Sequence, residues 1–277
     1  MSVLKFHDRG GQLALDEEEC RAAGAALAGK YRTAQPFPHI AIDDFIDADI
    51  LRDLLTQFPG SEGLEYFDRD QERLKYQYHP QICGPKVRNL LTELNSQAFL
   101  AFLSAMTGYE GLISDPYYAG GGLHETKRGG HLGVHADFNV HGEMHVVRRL
   151  NLLVYLNDDW DEAWGGNLEL WDTAMKSCQK KVAPIIGRAV VFNTSLDSFH
   201  GHPDPLACPP ERSRRSIATY YYQSPVDGLA NVPKRTTVFK PRPDSKDRTD
   251  WKVKAQHLWK DWVPPAVQRM MSKSRAD

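Results

Sequence analysis

A chain of 277 residues with 41% apolar and 25% charged residues can bury a substantial core as one domain with extensions, since β-rich domains of roughly 200–250 residues are common. Its formal net charge of −2 and pI near 6.6 provide no global field to draw in nucleic acid or an anionic membrane. No apolar run approaches the roughly 18 residues of a membrane span, and the opening Met1-Ser2-Val3-Leu4-Lys5-Phe6-His7-Asp8 carries no signal-peptide core, so a cytoplasmic location is expected. Cys20, Cys83, Cys178 and Cys208 are far apart without Cys-x-x-Cys spacing and read as reduced thiols.

Residues 14–32, rich in Ala, Glu and Lys with acidic residues leading, predict a helix, although Gly24 and Gly29 weaken it. Phe37–Ile42 alternates as a strand does, and a short helix is expected from Asp47 through Phe58, ended by Pro59-Gly60. Leu90 to Met106 predicts one amphipathic helix whose buried face carries Leu90, Leu91, Leu94, Phe99, Phe102 and Leu103. Residues 1–112 are therefore expected to form a mainly helical support of the same domain.

From about Ile113 the pattern changes to strands, at 131–140, 149–156, 167–171, 181–192 and 215–223, separated by turn clusters such as Asn157-Asp158-Asp159 and Gly165-Gly166. Short strands at this spacing, with helices segregated before and after them, imply an α+β sandwich or jelly roll over 113–224. Residues 225–277 read as a linker, polar and Pro-punctuated at 240–248, and a C-terminal helical extension over Trp251–Met271 broken at Pro264-Pro265. Trp251, Trp259 and Trp262 with neighbouring lysines could face nucleic acid, but packing against the domain is preferred. Gly120-Gly121-Gly122 lacks the ending of a phosphate loop, and Asp158–Glu162 lacks EF-hand spacing.

The chemistry concentrates in a histidine-rich region, where seven of the 11 histidines fall between residues 124 and 202. On a strand His135 and Asp137 point to one face, because side chains alternate with period 2. Alone, such a pair is more often a hydrogen-bonded surface feature. A second imidazole would complete two histidines and a carboxylate on one triangular face, with open positions opposite, as non-haem Fe(II) oxygenases require. His200 and His202 compete for that role; His200 is preferred because Gly201 leaves space beside it and His202 is tied to a Pro-rich turn. Further on, Arg214, Ser216 and Ala218 share a face, giving a guanidinium fork, a hydroxyl and room for a dicarboxylate. Without the upstream ligands, a surface arginine would be the better reading.

These residues, with Arg149-Leu150-Asn151-Leu152-Leu153-Val154-Tyr155-Leu156-Asn157, Trp164-Gly165-Gly166-Asn167-Leu168-Glu169-Leu170, Phe192-Asn193, Ser198-Phe199-His200-Gly201 and Arg214-Arg215-Ser216, resemble the Fe(II)- and 2-oxoglutarate-dependent dioxygenases of the prolyl 4-hydroxylase-like branch. The resemblance covers roughly 113–224, with a weaker echo at Pro36–Phe45. It implies a double-stranded β-helix (jelly-roll, cupin-like) core, iron on His135, Asp137 and His200, and 2-oxoglutarate held by Arg214 with Tyr155 and Ser216, and Tyr118 near it. It also implies hydroxylation by O2 of an unactivated C–H bond in a small-molecule or peptidyl substrate, prolyl included, with succinate and CO2 as coproducts. Asp137 stands where related halogenases leave room for chloride, which favours hydroxylation. Gly120 to Gly130 is longer than in many relatives and is expected to be a lid or substrate loop.

His124, Lys127, Arg128, His141 and Arg148 are candidates to line a pocket for an anionic substrate, or are solvated. Two other readings stay open: a cupin-like metal enzyme or hydrolase using Zn(II) on the same ligands, which leaves Arg214 without a role, and a non-catalytic binding module. No nucleic-acid or membrane partner is expected, and the sequence sets no oligomeric state.

Overall fold

Asp16 opens the first long element by accepting hydrogen bonds from the backbone N–H groups of Glu18 and Glu19, ahead of acidic residues in the first turn and Lys30 and Arg32 in the last. The computed structural model describes residues 2–60, 65–226, 228, 232 and 234–247; the helices expected after Trp251 lie outside the described residues. In chain order the elements are β1 (Phe6–Asp8), β2 (Leu13–Leu15), α1 (Glu17–Arg32), β3 (His39–Ile42), α2 (Ala48–Leu55), β4 (Glu65–Phe67), β5 (Glu72–Tyr78), α3 (Pro85–Glu93), α4 (Gln97–Thr107) and β6 (Leu112–Ser114). There follow β7 (Gly122–Ala136), β8 (Val147–Tyr155), β9 (Leu168–Trp171), β10 (Cys178–Val182), β11 (Ala189–Asn193), β12 (His200–His202), β13 (Ser213–Gln223) and β14 (Val238–Phe239).

The first 112 residues carry the four helices α1–α4, but β1–β5 also join sheets, and β5 pairs along β7 from Tyr78↔Leu123 to Glu72↔Leu132. The single helix expected from Leu90 to Met106 is two. Pro85 starts α3 at a position where its missing N–H costs nothing, and Ser96 breaks the run by capping α4 through Phe99 N–H. Gly24, which weakened the signal for α1, sits where a Cβ would meet Phe102 O at 2.2 Å, so the glycine lets α1 close on α4.

Strand order β10-β9-β12-β7-β13-β8-β11-β3, antiparallel throughout, wraps into a double-stranded β-helix. β7 belongs to both halves: residues 122–127 pair with β13, and His135 and Leu132 pair with β12. Alternation in the central strands then divides two interiors. Leu150, Leu152 and Val154 of β8, Ala189 and Val191 of β11, and Ile217 and Tyr221 of β13 turn outward into a core shared with α1–α4. Tyr155, Val190 and Phe192 turn inward with Leu168 and Leu170. Burial on both faces explains why β11 reads as a continuous apolar run.

Gly120 to Gly130 is not a lid. From Gly122 onward it is the first half of β7, paired to β13 on one side and β5 on the other, so non-local pairing overrides the local glycine signal. Nor do residues 234–247 hang free as a linker: Val238 and Phe239 pair with Ala136 and His135, Lys240 N–H donates to Val134 O, and Arg242 ion-pairs with Asp204 and Asp247.

Glu125 ties this framework together. Buried at 1% exposure, its carboxylate accepts from Ser213 Oγ (2.5 Å), Tyr78 Oη (2.8 Å) and Arg215 Nε (2.9 Å), and pairs with Lys127 Nζ (2.9 Å). Burial would raise its pKa, but these donors bring it down to about 2. A depressed carboxyl adds stability above its unfolded value of about 4.3, and that stability is lost as pH falls toward the folded value. Urea unfolding from pH 7 to pH 2 should therefore find Glu125→Gln less stable at neutral pH by about 3 kcal/mol, with the gap closing in acid; a gap that is constant with pH would contradict this.

Candidate functional site

His135 is the penultimate residue of β7, Asp137 follows the strand, and His200 opens β12 as the register partner of His135. That pairing sets the imidazole centroids 4.4 Å apart, and one donor atom from each of the three residues falls within 4.8 Å of the others. All three are buried, at 6–8% exposure. His135 Nδ1 bonds Gly133 O at 2.9 Å and His200 Nδ1 bonds Ser198 O at 3.0 Å. A carbonyl can only accept, so each Nδ1 carries the proton and each Nε2 presents a lone pair toward the shared space.

Asp137 is held from behind. Its Oδ2 accepts from Asn151 Nδ2 at 2.7 Å and lies 3.2 Å from Arg148 Nη2. Asn151 is itself oriented, since its Oδ1 accepts from Arg148 Nε and Thr194 Oγ1. Arg148, 1% exposed, lies with its guanidinium 3.5 Å from the Tyr220 ring centroid. Burial would push the Asp137 carboxyl up; Arg148, with His200 and His135, overrides it and holds it well below the usual carboxylate range. Burial, reinforced by His135, lowers His200 to about 4. The chain thus presents a carboxylate and two imidazoles, with His200 neutral at physiological pH, and this donor set fits a divalent cation.

Arg214 stands on the inward face of β13 with Ser216, as alternation predicted. Its Nε donates to Gly166 O at 2.7 Å, which fixes the fork. The guanidinium carbon lies 5.1 Å from the Tyr155 ring centroid, and Tyr155, register partner of Ser216, buries its hydroxyl beside it. Arg214, Ser216, His135, Asp137 and His200 all line one cavity of about 2050 Å³.

Tyr118 is not brought to this cavity. Its hydroxyl donates to Leu91 O, and its ring packs on the helical core. His124, register partner of Ser216, lines the wall instead. Gly201 serves strand packing rather than metal access, because a Cβ there would meet Gly133 O and Leu132 O at 2.8 Å. Among the five residues proposed to line an anionic pocket, Arg148 is committed to Asp137 and Lys127 to Glu125. His141 accepts from Glu143 and Met144 N–H and faces Asp115, while Arg128 is exposed away from the cavity lining.

Sequence reasoning missed the Arg148–Asn151 support. Residues three apart on a regular strand face opposite ways, but the register skips Arg149 between Tyr221↔Leu150 and Tyr222↔Arg148. This bulge turns Arg148 onto the Asn151 face, and no local sequence signal announces it. Removing Arg148 leaves a buried charge uncompensated, so Arg148→Met should lose about 3–5 kcal/mol in urea unfolding with chelator present. Adding Asp137→Asn should return most of that loss; a double variant as unstable as the sum of the singles would refute the pairing.

Residues 121–222 match the model of the 2OG-Fe(II) oxygenase superfamily. The chain is 27% identical over 194 residues to the mouse (Mus musculus) protein named prolyl 3-hydroxylase OGFOD1, a match covering 68% of this chain and 33% of that relative's length. In fold it is similar to a Pseudomonas putida prolyl-4-hydroxylase (TM-score 0.51, 19% identity, 73% of this chain and 99% of that one). It is also similar to a Trichoplax adhaerens prolyl hydroxylase in complex with a hypoxia inducible factor oxygen degradation domain peptide fragment (TM-score 0.50, 14% identity, 74% and 91%). His135, Asp137, His200 and Arg214 all lie within the residues that match the model of this superfamily.

Proposed function

We propose that this protein is an Fe(II)- and 2-oxoglutarate-dependent hydroxylase in which His135, Asp137 and His200 hold the metal and residues 113–224 form the catalytic core. The observation that carries the reading is a single cavity with two oriented imidazoles and a charge-held carboxylate at one place and a buried, oriented guanidinium at another. When bound, Fe(II) with 2-oxoglutarate and O2 supplies the oxidative decarboxylation, to succinate and CO2, that drives oxygen insertion into a C–H bond. Arg214 anchors the distal carboxylate of 2-oxoglutarate, assisted by the Tyr155 hydroxyl and by Ser216. Backbone carbonyls lock both histidine tautomers, and Arg148 with Asn151 keeps Asp137 ionised. A carboxylate at position 137 fills a coordination place, which supports hydroxylation over halogenation.

The substrate is proposed as peptidyl, with proline the leading residue, on the names of the mouse relative and of the two solved folds. The chain spans a third of the mouse relative's length (33%), so this assignment rests on the shared segment. Among the described residues no helix is long and apolar enough to cross a membrane. A zinc hydrolase on the same ligands would give the buried Arg214 nothing to bind.

Anaerobic addition of Fe(II) and 2-oxoglutarate should produce a visible charge-transfer band, followed by succinate release in air. Arg214→Ala should raise the KM for 2-oxoglutarate roughly 100-fold, the equivalent of about 3 kcal/mol of charge-assisted hydrogen bonding, while retaining metal. His135→Ala should lose the metal itself. No band in the unmutated protein would sink the proposal.

A further inference from the structure

The reading above leaves most of the cavity unused. Its volume, about 2050 Å³, exceeds the roughly 300–1,000 Å³ that encloses a drug-sized ligand, and its two banks are charged alike. On one bank the β4–β5 hairpin contributes Arg69 and Arg73; on the other, residues 234–247 contribute Lys234, Lys240 and Lys246. All five are exposed. Arg73 is 3.8 Å from Asp68, and among the described residues Arg69 and the three lysines have no anionic partner.

The acidic residues lining the cavity are mostly spent. Glu72 pairs with Lys75, Asp137 with Arg148, and Asp204 and Asp247 with Arg242, which leaves Asp70. A chain of net charge −2 therefore gathers, among the described residues, unpaired positive charge around one opening. Residues 234–247 reach that opening directly: Phe239, adjacent to Lys240, sets its ring 5.2 Å from that of His135.

We propose that the substrate is an acidic peptide segment, whose Asp and Glu side chains lie between the Arg69–Arg73 bank and the Lys234–Lys246 bank while its reacting residue enters beside Phe239. The inference rests on the hydroxylase reading and names its substrate class. Length and charge on both banks suit an extended chain rather than a compact metabolite. A nucleic acid strand suits the cleft less well, because such sites stack bases on exposed aromatics. The exposed aromatic residues among those described, Tyr66 and Tyr117, lie outside the cavity.

Fluorescence anisotropy tests this without turnover, using labelled proline-centred peptides flanked by Glu, by Gln or by Lys, and a single-stranded oligonucleotide, against protein loaded with Mn(II) and 2-oxoglutarate. The Glu peptide should bind tightest, weaken with salt, and weaken at least about tenfold in the Lys234→Glu/Lys240→Glu/Lys246→Glu variant. 2-Oxoglutarate affinity should stay unchanged in that variant, which reports an intact site. Equal binding of the Gln or Lys peptide, tighter binding of the oligonucleotide, or indifference to the triple charge reversal would overturn the proposal. Failure of the unmutated protein to bind 2-oxoglutarate would instead overturn the hydroxylase reading.

Discussion

A carboxylate taken out of water needs a counter-charge, and around Asp137 the fold is arranged to supply one. Arg148 is among the largest fully buried side chains, and it can be there only because Asp137, Asn151 and the face of Tyr220 receive its guanidinium. The arrangement is mutual: neither charge could be buried alone at tolerable cost. One consequence is local to the site. Asp137 ionised and His200 neutral are the protonation states a divalent cation requires of these two donors, and they are in place before any cation arrives.

β7 converts that local arrangement into a site with two ends. Its fifteen residues pair with β13 over the first half and with β12 near the second. The strand that delivers His135 thereby also fixes where Arg214 stands, and Tyr155 reaches the arginine through the β8–β13 register. The ends of the cavity are related through one continuous ladder of backbone hydrogen bonds, not through loops. The same strand carries Glu125, whose four partners come from β5, β7 and β13, so the ladder is also pinned by a buried charge.

What could be read from the sequence was what depends on short-range alternation. His135 with Asp137, and Arg214 with Ser216, sit on the faces that period 2 assigns them, and the jelly-roll class followed from strand spacing. What escaped depends on distant partners. Glycines at 120–130 signalled a loop until β5 and β13 paired with them from both sides. Tyr118, adjacent in sequence to the glycine run, turns to Leu91 on α3 because the helical layer lies on that side. Arg148 could be guessed as a pocket residue but not as the partner of Asp137, since the bulge at Arg149 that turns it is set by β13. Residues 234–247 read as a polar linker because their order comes from two residue pairs between β14 and β7 and an ion-pair cluster rather than from any pattern of their own.

In the proposed function one cavity binds a metal on His135, Asp137 and His200 and a dicarboxylate on Arg214. A crystal structure of the protein grown anaerobically with Mn(II) and 2-oxoglutarate tests it most directly. The expected result is one metal ligated by both Nε2 atoms and by Asp137, with the 2-oxoglutarate chelated to it and its distal carboxylate forked on Arg214. Metal bound elsewhere, or a carboxylate that does not contact Arg214, would contradict it.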